Sequence, residues 1–274
     1  MKQPFFSVII PTLNEETYLP GLLSDLTKQT EKDFSVIIVD GNSTDNTKKC
    51  VQAFASTLNP NFHSIKTRNV SHQRNTGAEY SDGHYLVFLD ADCRLEKDFL
   101  KKAKQYLKKH RKLFLVLRML PQESEKELYD EYIFNALNYL VEFSQLTKKP
   151  FACGGWMIVE HALFEFLGGF NKKLFLSEDH DLVQRARVSG VKAAVPKDLF
   201  VYVSMRRFQK EGRMKVITKY LISTLHTVRG QKIHERIFDY EMGGQHYSLP
   251  NNGQKSFTGK LRQYAQKVKN ALSS

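Results

Sequence analysis

The stretch Tyr85-Leu86-Val87-Phe88-Leu89-Asp90-Ala91-Asp92 decides the reading of this chain. Its apolar run, rich in β-branched and aromatic residues, has the length of a buried strand. The strand closes on two carboxylates one residue apart, which are costly at the edge of a core unless a positive group faces them. In open α/β sheets, ligands bind outside the carboxyl ends of the strands. Paired carboxylates there suit Mg2+ or Mn2+, which commonly bridge one or two such groups to phosphate oxygens. A solvated acidic turn is the alternative that Asp-x-Asp by itself leaves open.

Working outward, residues 5–10 read as a first buried strand closed by Pro11. Residues 15–28 follow as a helix, with Tyr18, Leu19, Leu22, Leu23 and Leu26 at helical spacing. Residues 34–39 form a second buried strand ending at Asp40-Gly41. Helices are predicted over 45–56, 73–80 and 95–110, with a short strand over 64–66. This β-α-β-α order predicts an α/β fold: a mainly parallel central sheet with helices on both faces. Further on, 113–117 reads as a strand. Ser124-x-x-Glu127 reads as a capping box opening a long helix. That helix has Leu128, Tyr132, Ala136, Leu137 and Leu140 on one face, with Phe134 and Phe143 off it. A strand near 156–159, a helix from His161, a helix over 178–189 closed by Gly190, and a last strand over 191–195 complete the pattern.

A chain of 274 residues with 41% hydrophobic and 12% aromatic content builds one large domain, or a domain with an appendage. No apolar run is long enough for a bilayer span, and the start lacks the pattern of a signal peptide. The three cysteines, Cys50, Cys93 and Cys153, are scattered without a C-x-x-C pair, so neither a disulfide framework nor a zinc site is indicated. A reduced, cytoplasmic compartment follows. The net charge of +12 is uneven: residues 206–274 hold 14 Lys/Arg and 4 Asp/Glu, a net of +10. This divides the chain into a domain over 1–205 and a basic, mainly helical extension over 206–274. The extension has two amphipathic stripes: Met214, Ile217, Leu221, Leu225 and Val228, then Leu261, Tyr264, Val268 and Leu272. The first suits packing on the domain. The second, flanked by lysines and arginine, suits an anionic membrane surface, here the inner face. No nucleic-acid motif accompanies the charge.

Several short segments carry a resemblance. They are Val8-Ile9-Ile10-Pro11-Thr12-Leu13-Asn14-Glu15, Ile37-Ile38-Val39-Asp40-Gly41-Asn42-Ser43-Thr44-Asp45, Arg74-Asn75-Thr76-Gly77, Phe88-Leu89-Asp90-Ala91-Asp92, Gly168-Gly169-Phe170 and Glu178-Asp179-His180-Asp181-Leu182. In this order and spacing, over about residues 5–205, the chain resembles a family 2 glycosyltransferase with the Rossmann-like GT-A fold. The resemblance implies an inverting transfer from a nucleotide-diphospho-sugar to a glycan, lipid or polyprenyl-phosphate acceptor, assisted by Mn2+ or Mg2+.

Roles follow for named residues. Pro11, Thr12, Asn14 and Glu15, with Asp40, Gly41 and Ser43, leave adjacent strands where a nucleotide lies. The resemblance implies that Asp40 accepts from a pyrimidine N–H. Glu15 or Thr12 bonds ribose or base. Arg74 suits phosphate or ribose, or else a surface salt bridge. Asp92 holds the metal, with Asp90 helping at metal or ribose and Ala91 between them. Arg206 and Arg207 add positive charge over the diphosphate, or form a membrane-facing patch. Asp179 maps to the general base that takes the acceptor's proton. Asp181 and Arg185, one helical turn apart, shape the helix. Neither G-x-G-x-x-G nor a P-loop is present, which lowers the case for dinucleotide and P-loop enzymes. A nucleotidyltransferase and a non-catalytic sugar-nucleotide-binding protein are the alternatives.

Overall fold

The computed structural model describes residues 3–228 together with Ile233, Gly243 and Gly244. In chain order the first half runs β1 (Phe6–Thr12), α1 (Leu19–Thr27), β2 (Phe34–Asp40), α2 (Thr47–Gln52), α3 (Ala55–Leu58), β3 (Asn61–Ser64), α4 (Val70–Glu79), β4 (Tyr85–Phe88) and α5 (Phe99–His110). The second half runs β5 (Phe114–Val116), β6 (Arg118–Pro121), α6 (Asp130–Ser144), β7 (Met157–Glu160), α7 (His161–Phe166), α8 (Glu178–Val188), β8 (Phe200–Val203), α9 (Arg206–Glu211) and α10 (Arg213–Val228). The main sheet has the order β3-β2-β1-β4-β7-β5, and a small second sheet pairs β6 with β8. Strands β3, β2, β1 and β4 are mutually parallel, while β7 is antiparallel to both β4 and β5.

Side-chain alternation along each strand divides the interior into two cores. Val8, Ile10, Val36, Ile38 and Val87 meet α1 and α5 through Leu22, Leu26, Phe99 and Leu107. Ile9, Ile37, Val39, Leu86 and Phe88 face the other way, onto Ala78, Phe164, Leu182 and Ala186 of α4, α7 and α8. These strands are therefore continuous apolar runs, because both faces are covered. From β1 the chain steps to β2 and β3 on one side, then crosses back to β4 on the other. The strand order thus reverses between β1 and β4, where open α/β sheets bind ligands.

Several elements differ from the sequence reading. The helix expected over 45–56 is broken into α2 and α3, and α3 closes on left-handed Asn59, φ 43°. The third strand lies at Asn61–Ser64, just before its expected place. The run 191–195 touches the sheet only through a bridge from Ala194 to Leu115, and the later strand β8 was not foreseen. The capping box does not form: α6 begins at Asp130, whose carboxylate accepts from Arg213 Nε and Nη2, each at 2.8 Å, and from the Glu127 N–H at 2.7 Å. The face of α6 expected to be buried, with Leu128, Tyr132, Ala136, Leu137 and Leu140, is not its most buried one. Leu128 and Tyr132 are 77% and 73% exposed, whereas Phe134, Asn138 and Val141 are buried. The reason is polar: Asn138 Oδ1 accepts from the Met119 N–H at 3.0 Å while Nδ2 donates to the Met119 carbonyl at 2.8 Å. Satisfying the backbone of β6 in this way fixes which side of α6 turns inward.

Within residues 206–274, the described residues are 206–228, which hold helices α9 and α10, with Ile233, Gly243 and Gly244, and Phe208 and Val216 join the core of α1 and α5. The second amphipathic stripe and the tail over 251–274 lie outside the described residues. Among the described residues, no helix is long and apolar enough to cross a membrane.

Helix α4 approaches the sheet closely through Gly77, where a Cβ would come 2.4 Å from Ile9 Cγ2. Gly77→Val is expected to destabilise the protein by about 1–3 kcal/mol through overpacking, read from urea midpoints at constant slope. Pairing it with Ile9→Ala is expected to cost less than the two separate changes together, since the smaller residue vacates the contested space.

Candidate active site

The loops after β1 and β2 are stitched together by short polar side chains. Thr12 Oγ1 donates to Asp40 Oδ1 at 3.2 Å, and the Ser43 N–H donates to Asp40 Oδ2 at 2.9 Å. The Ser43 hydroxyl bonds Asp40 Oδ1 and accepts from the Asn14 N–H at 2.7 Å. The Gly41 N–H donates to the Thr12 carbonyl at 2.8 Å. Asn14 takes a left-handed φ of 54°, and its Oδ1 accepts from the Thr44 N–H at 2.7 Å. Asn14, Asp40, Gly41 and Ser43 therefore sit behind the cavity wall as an interlocked scaffold, while Pro11, Thr12 and Glu15 line the cavity itself.

The pattern reading passed over Gln73. Its buried amide donates to the Thr12 and Val39 carbonyls, 2.8 Å each, clamping the ends of β1 and β2. Nothing in periodicity or charge marks such a residue. Gly244 gave a weak signal, as half of a Gly-Gly pair. Its N–H donates to the Leu13 carbonyl at 3.0 Å, and a Cβ there would come 2.1 Å from the Asn14 carbonyl oxygen.

After β4, Asp90, Ala91 and Asp92 turn across the ends of β1 and β4. Arg74, from α4, is not at the surface: its side chain is 3% exposed. It lies between Asp90 Oδ1 at 2.8 Å and Glu178 Oε1 at 2.7 Å. Burial alone would push its pKa down, but the two carboxylates outweigh it and the guanidinium stays charged. A Cβ on Gly155 would come 2.0 Å from Arg74 Nη2, so a side chain there would require the guanidinium to move. Arg206, the first residue of α9, makes a two-bond contact with Glu15, 2.8 Å each, and reaches Asp92 Oδ2 at 3.0 Å. Tyr18 lies beneath it, 4.5 Å from ring centre to guanidinium. Burial pushes Glu15 up to about 7 against the pull of Arg206, helped by Asp92 and Asp90. Asp92 is raised as well, by burial and by Asp90, against Arg206 and Arg207. Gln122 Nε2 donates to the Asp92 carbonyl at 2.8 Å and fixes the turn.

Two adjoining cavities meet here. The smaller, about 210 Å³, is the polar one below β1, α4 and the Asp90–Asp92 turn. The larger, about 370 Å³, is walled by α6, α9 and α10 and reaches Asp179 and His180 at the start of α8. Asp90, Asp92, Glu178, Arg206 and Arg207 border both. Asp179 Oδ1 accepts from the His180 backbone N–H and pairs with His180 Nδ1, both at 2.8 Å. Its Oδ2 has no hydrogen-bond partner among the described residues. Burial would raise the Asp179 pKa, yet His180 and Arg74 hold it below the usual carboxylate value, so it is ionised at neutral pH. Burial and the Asp179 charge push Glu178 the other way. Burial raises the thiol pKa of Cys153 to about 12, and that of Cys93 well above its usual value, so neither is a nucleophile at neutral pH.

Asp181 and Arg185 do form their pair, at 2.7 Å, and Arg185 also holds the carbonyls of Leu167 and Gly169. Asn75 exchanges two 2.8 Å bonds with the backbone of Phe170. The Gly168-Gly169-Phe170 turn is thereby tied to both α4 and α8.

Asp90 and Asp92 offer hard oxygen donors on the border of both cavities, and burial, the main cause of the raised Asp92 pKa, makes a nearby cation favourable to its charged form. That donor set fits Mg2+ or Mn2+ completing its shell with phosphate oxygens and water. Among the described residues, no group of three or more His, Cys, Asp or Glu side chains is arranged to hold a metal alone.

The model of glycosyl transferase family 2 matches residues 7–168. The PGL/p-HBAD biosynthesis glycosyltransferase of Mycobacterium bovis (strain BCG / Pasteur 1173P2) is 30% identical over 188 residues, 66% of this chain and 69% of that protein. The poly(ribitol-phosphate) beta-N-acetylglucosaminyltransferase TarS of Staphylococcus aureus (strain Mu50 / ATCC 700699) is 26% identical over 213 residues, 74% of this chain, which spans only 36% of TarS. Among solved structures, S. aureus TarS in complex with UDP-GlcNAc aligns with TM-score 0.55 at 26% identity, over 73% of this chain and 58% of that one. The mannosyltransferase PcManGT from Pyrobaculum calidifontis, in complex with GDP-Man and Mn2+, aligns with TM-score 0.64 at 20% identity, over 84% of this chain and 64% of that one, a likeness of fold. The chain belongs to glycosyl transferase family 2, and it is a glycosyltransferase.

Proposed function

We propose that the enzyme moves a sugar, with inversion, from a nucleotide-diphospho-sugar in the smaller cavity to a hydroxyl presented in the larger one. The observation that carries this reading is Asp179: an ionised carboxylate with one oxygen held by His180 and the other without a hydrogen bond among the described residues, on the wall that faces the acceptor side. The acceptor oxygen forms its bond to C1 while the bond from C1 to the diphosphate oxygen breaks, its electron pair leaving with the nucleoside diphosphate. The acceptor's proton passes to Asp179 Oδ2. His180 keeps the carboxylate in position, and Arg74 together with Arg206 supplies fixed positive charge near the leaving group. Asp92, with Asp90, would hold the Mn2+ or Mg2+, whose charge offsets that on the diphosphate. Thr12 and Glu15 lie where ribose or base would rest, and Asp40 completes the base end through the loop it organises. Since TarS has been solved with UDP-GlcNAc and PcManGT with GDP-Man and Mn2+, UDP- and GDP-sugars are the first donors to test.

A panel of sugar nucleotides with Mn2+, read by release of nucleoside diphosphate, tests the reading. No release from any donor, with or without an acceptor mixture, would count against transfer. Asp92→Ala is expected to abolish turnover and to weaken donor binding chiefly when metal is present. Titration calorimetry in Mn2+ and in chelator checks this, and equal affinities for variant and parent in both would remove Asp92 from the metal site.

Asp179→Asn keeps the shape of the side chain and removes the proton acceptor. Its kcat is expected to fall by about 10²–10⁴-fold with donor affinity nearly unchanged. A near-parental kcat would exclude this base and favour an acceptor that is already anionic, such as a polyprenyl phosphate.

The same proposal places the enzyme at the inner face of a membrane through the tail over 251–274, which carries five Lys/Arg and no acid. Each such residue contributes about 1 kcal/mol near an anionic surface. Deleting the tail is expected to reduce sedimentation with anionic liposomes at low salt while leaving donor hydrolysis by water in place. The difference should vanish at 1 M salt, where the screening length is about 3 Å. Equal liposome binding with and without the tail would rule out its role as an anchor.

A further inference from the structure

The larger cavity is lined in a way that a sugar acceptor does not need. Its polar groups are the charged residues it shares with the smaller cavity and a second set around Asp179, His180, Ser177, Ser223 and Thr224. Most of the second set already bond each other: Ser177 and Ser223 hydroxyls lie 2.6 Å apart, and His180 Nε2 is 3.4 Å from Thr224 Oγ1. Apart from these the walls are apolar, with Phe134, Leu137, Val141, Phe151, Ile217 and Tyr220 among them. A glycan in that space would leave most of its hydroxyls without partners, which is costly for buried polar groups. A hydrocarbon or aryl group would lose nothing by leaving water.

The apolar lining does not stop inside. Leu140 and Leu221 belong to the cavity wall and are also 56% and 47% exposed. Beside Leu140, Tyr139 and Phe143 of α6 are exposed, as is Leu146 just beyond the helix, and the exposed Lys148 and Lys149 follow. Trp156 lies in this wall, and its indole N–H is buried with no hydrogen-bond partner among the described residues. The cavity thus runs from the base, through an apolar passage, to an apolar rim bordered by lysines.

We infer that the acceptor is an amphiphile whose hydroxyl meets Asp179 and whose hydrocarbon or aryl portion fills the passage between α6 and α10 and leaves at Leu140 and Leu221. This rests on the proposed glycosyl transfer, in which Asp179 faces the acceptor. The lysines at the rim suit the anionic surface from which such a molecule would be drawn.

Trp156 is the single tryptophan of the chain, so its fluorescence reports the cavity directly. The full-length protein, without sugar nucleotide, is titrated with dodecyl maltoside brominated on its alkyl chain, below micelle formation, and in parallel with maltose. Saturable quenching by the brominated amphiphile and none by maltose is expected. Leu140→Lys combined with Leu221→Lys changes two partly exposed side chains, so the fold is retained, as circular dichroism and melting check. That pair is expected to weaken the apparent affinity by about tenfold or more, the order set by losing contact with a few methylenes. Val188→Lys, at a position 85% exposed on α8, is expected to leave it unchanged. Quenching that rises without saturation, that maltose reproduces, or that ignores the Leu140/Leu221 change overturns the inference. Because no donor is present, a negative sugar-nucleotide panel would remove the transfer reading without touching this binding result, and the reverse failure would leave transfer standing with a different acceptor.

Discussion

The buried guanidinium of Arg74 is the interaction on which the site depends. It comes from α4, and its two carboxylate partners come from the turn after β4 and from the start of α8. No local preference brings those segments together. A charge taken out of water is strongly destabilising unless it is paired with good geometry, and removing one partner of such a group costs about 3–5 kcal/mol. The pairings with Asp90 and Glu178, both below 3 Å, therefore specify where α8 begins relative to the sheet. Asp179 follows Glu178 directly, so its position is inherited from the same contact. Gly155 belongs to this constraint as well, since any side chain there would occupy the space of the guanidinium.

The second arginine, Arg206, is held differently. It is shared by Glu15 from the β1 loop, Asp92 from the β4 turn and the face of Tyr18. Glu125 sets its approach, accepting from the Met205 N–H and from Ser204 Oγ at the entry to α9. Burial is the main reason that Glu15 and Asp92 are both raised, and neighbouring carboxylates add to it against the pull of Arg206 and, at Asp92, of Arg207. A diphosphate arriving beside them would bring more negative charge. Under the proposed function that charge is what makes a divalent cation favourable there: it lets the carboxylates and the phosphates share one site beside Arg206.

How much of this was legible in the sequence follows from what each element is made of. Strands β1, β2 and β4 centre on the apolar runs 8–10, 36–39 and 85–88, which a sheet covered on both faces explains. The acids Asp90 and Asp92 stood out because charge at a strand end needs a reason, whereas Arg74, Asp179 and Arg206 were singled out through the resemblance to a family. The buried face of α6 was not legible, since that helix is apolar on more than one side. The choice was made by the hydrogen bonds of Asn138 to Met119, a residue far away in sequence. Gln73 was invisible for a similar reason: an amide closing two strand ends has no period and no charge. Strand β8 was missed because its partner β6 is short and its pairing is long-range, and the better-looking run over 191–195 drew the assignment instead.

The misread face of α6 changes the view of the whole second half. Had Leu128, Tyr132 and Leu140 been buried, α6 would be an ordinary core helix and the larger cavity would be closed by its side chains. With Phe134 and Val141 turned inward, the helix contributes one apolar wall to the cavity and leaves another apolar strip outside. Burying either strip is favourable, so the exposed one is retained at a cost in solubility that a purely structural helix would not carry. The polar half of the site is built from sheet ends and arginine pairs that fix charge in place. The apolar half is built from helices that leave a passage. The two meet at Asp90, Asp92, Glu178, Arg206 and Arg207, so a group delivered from one side is met at that border by chemistry organised from the other.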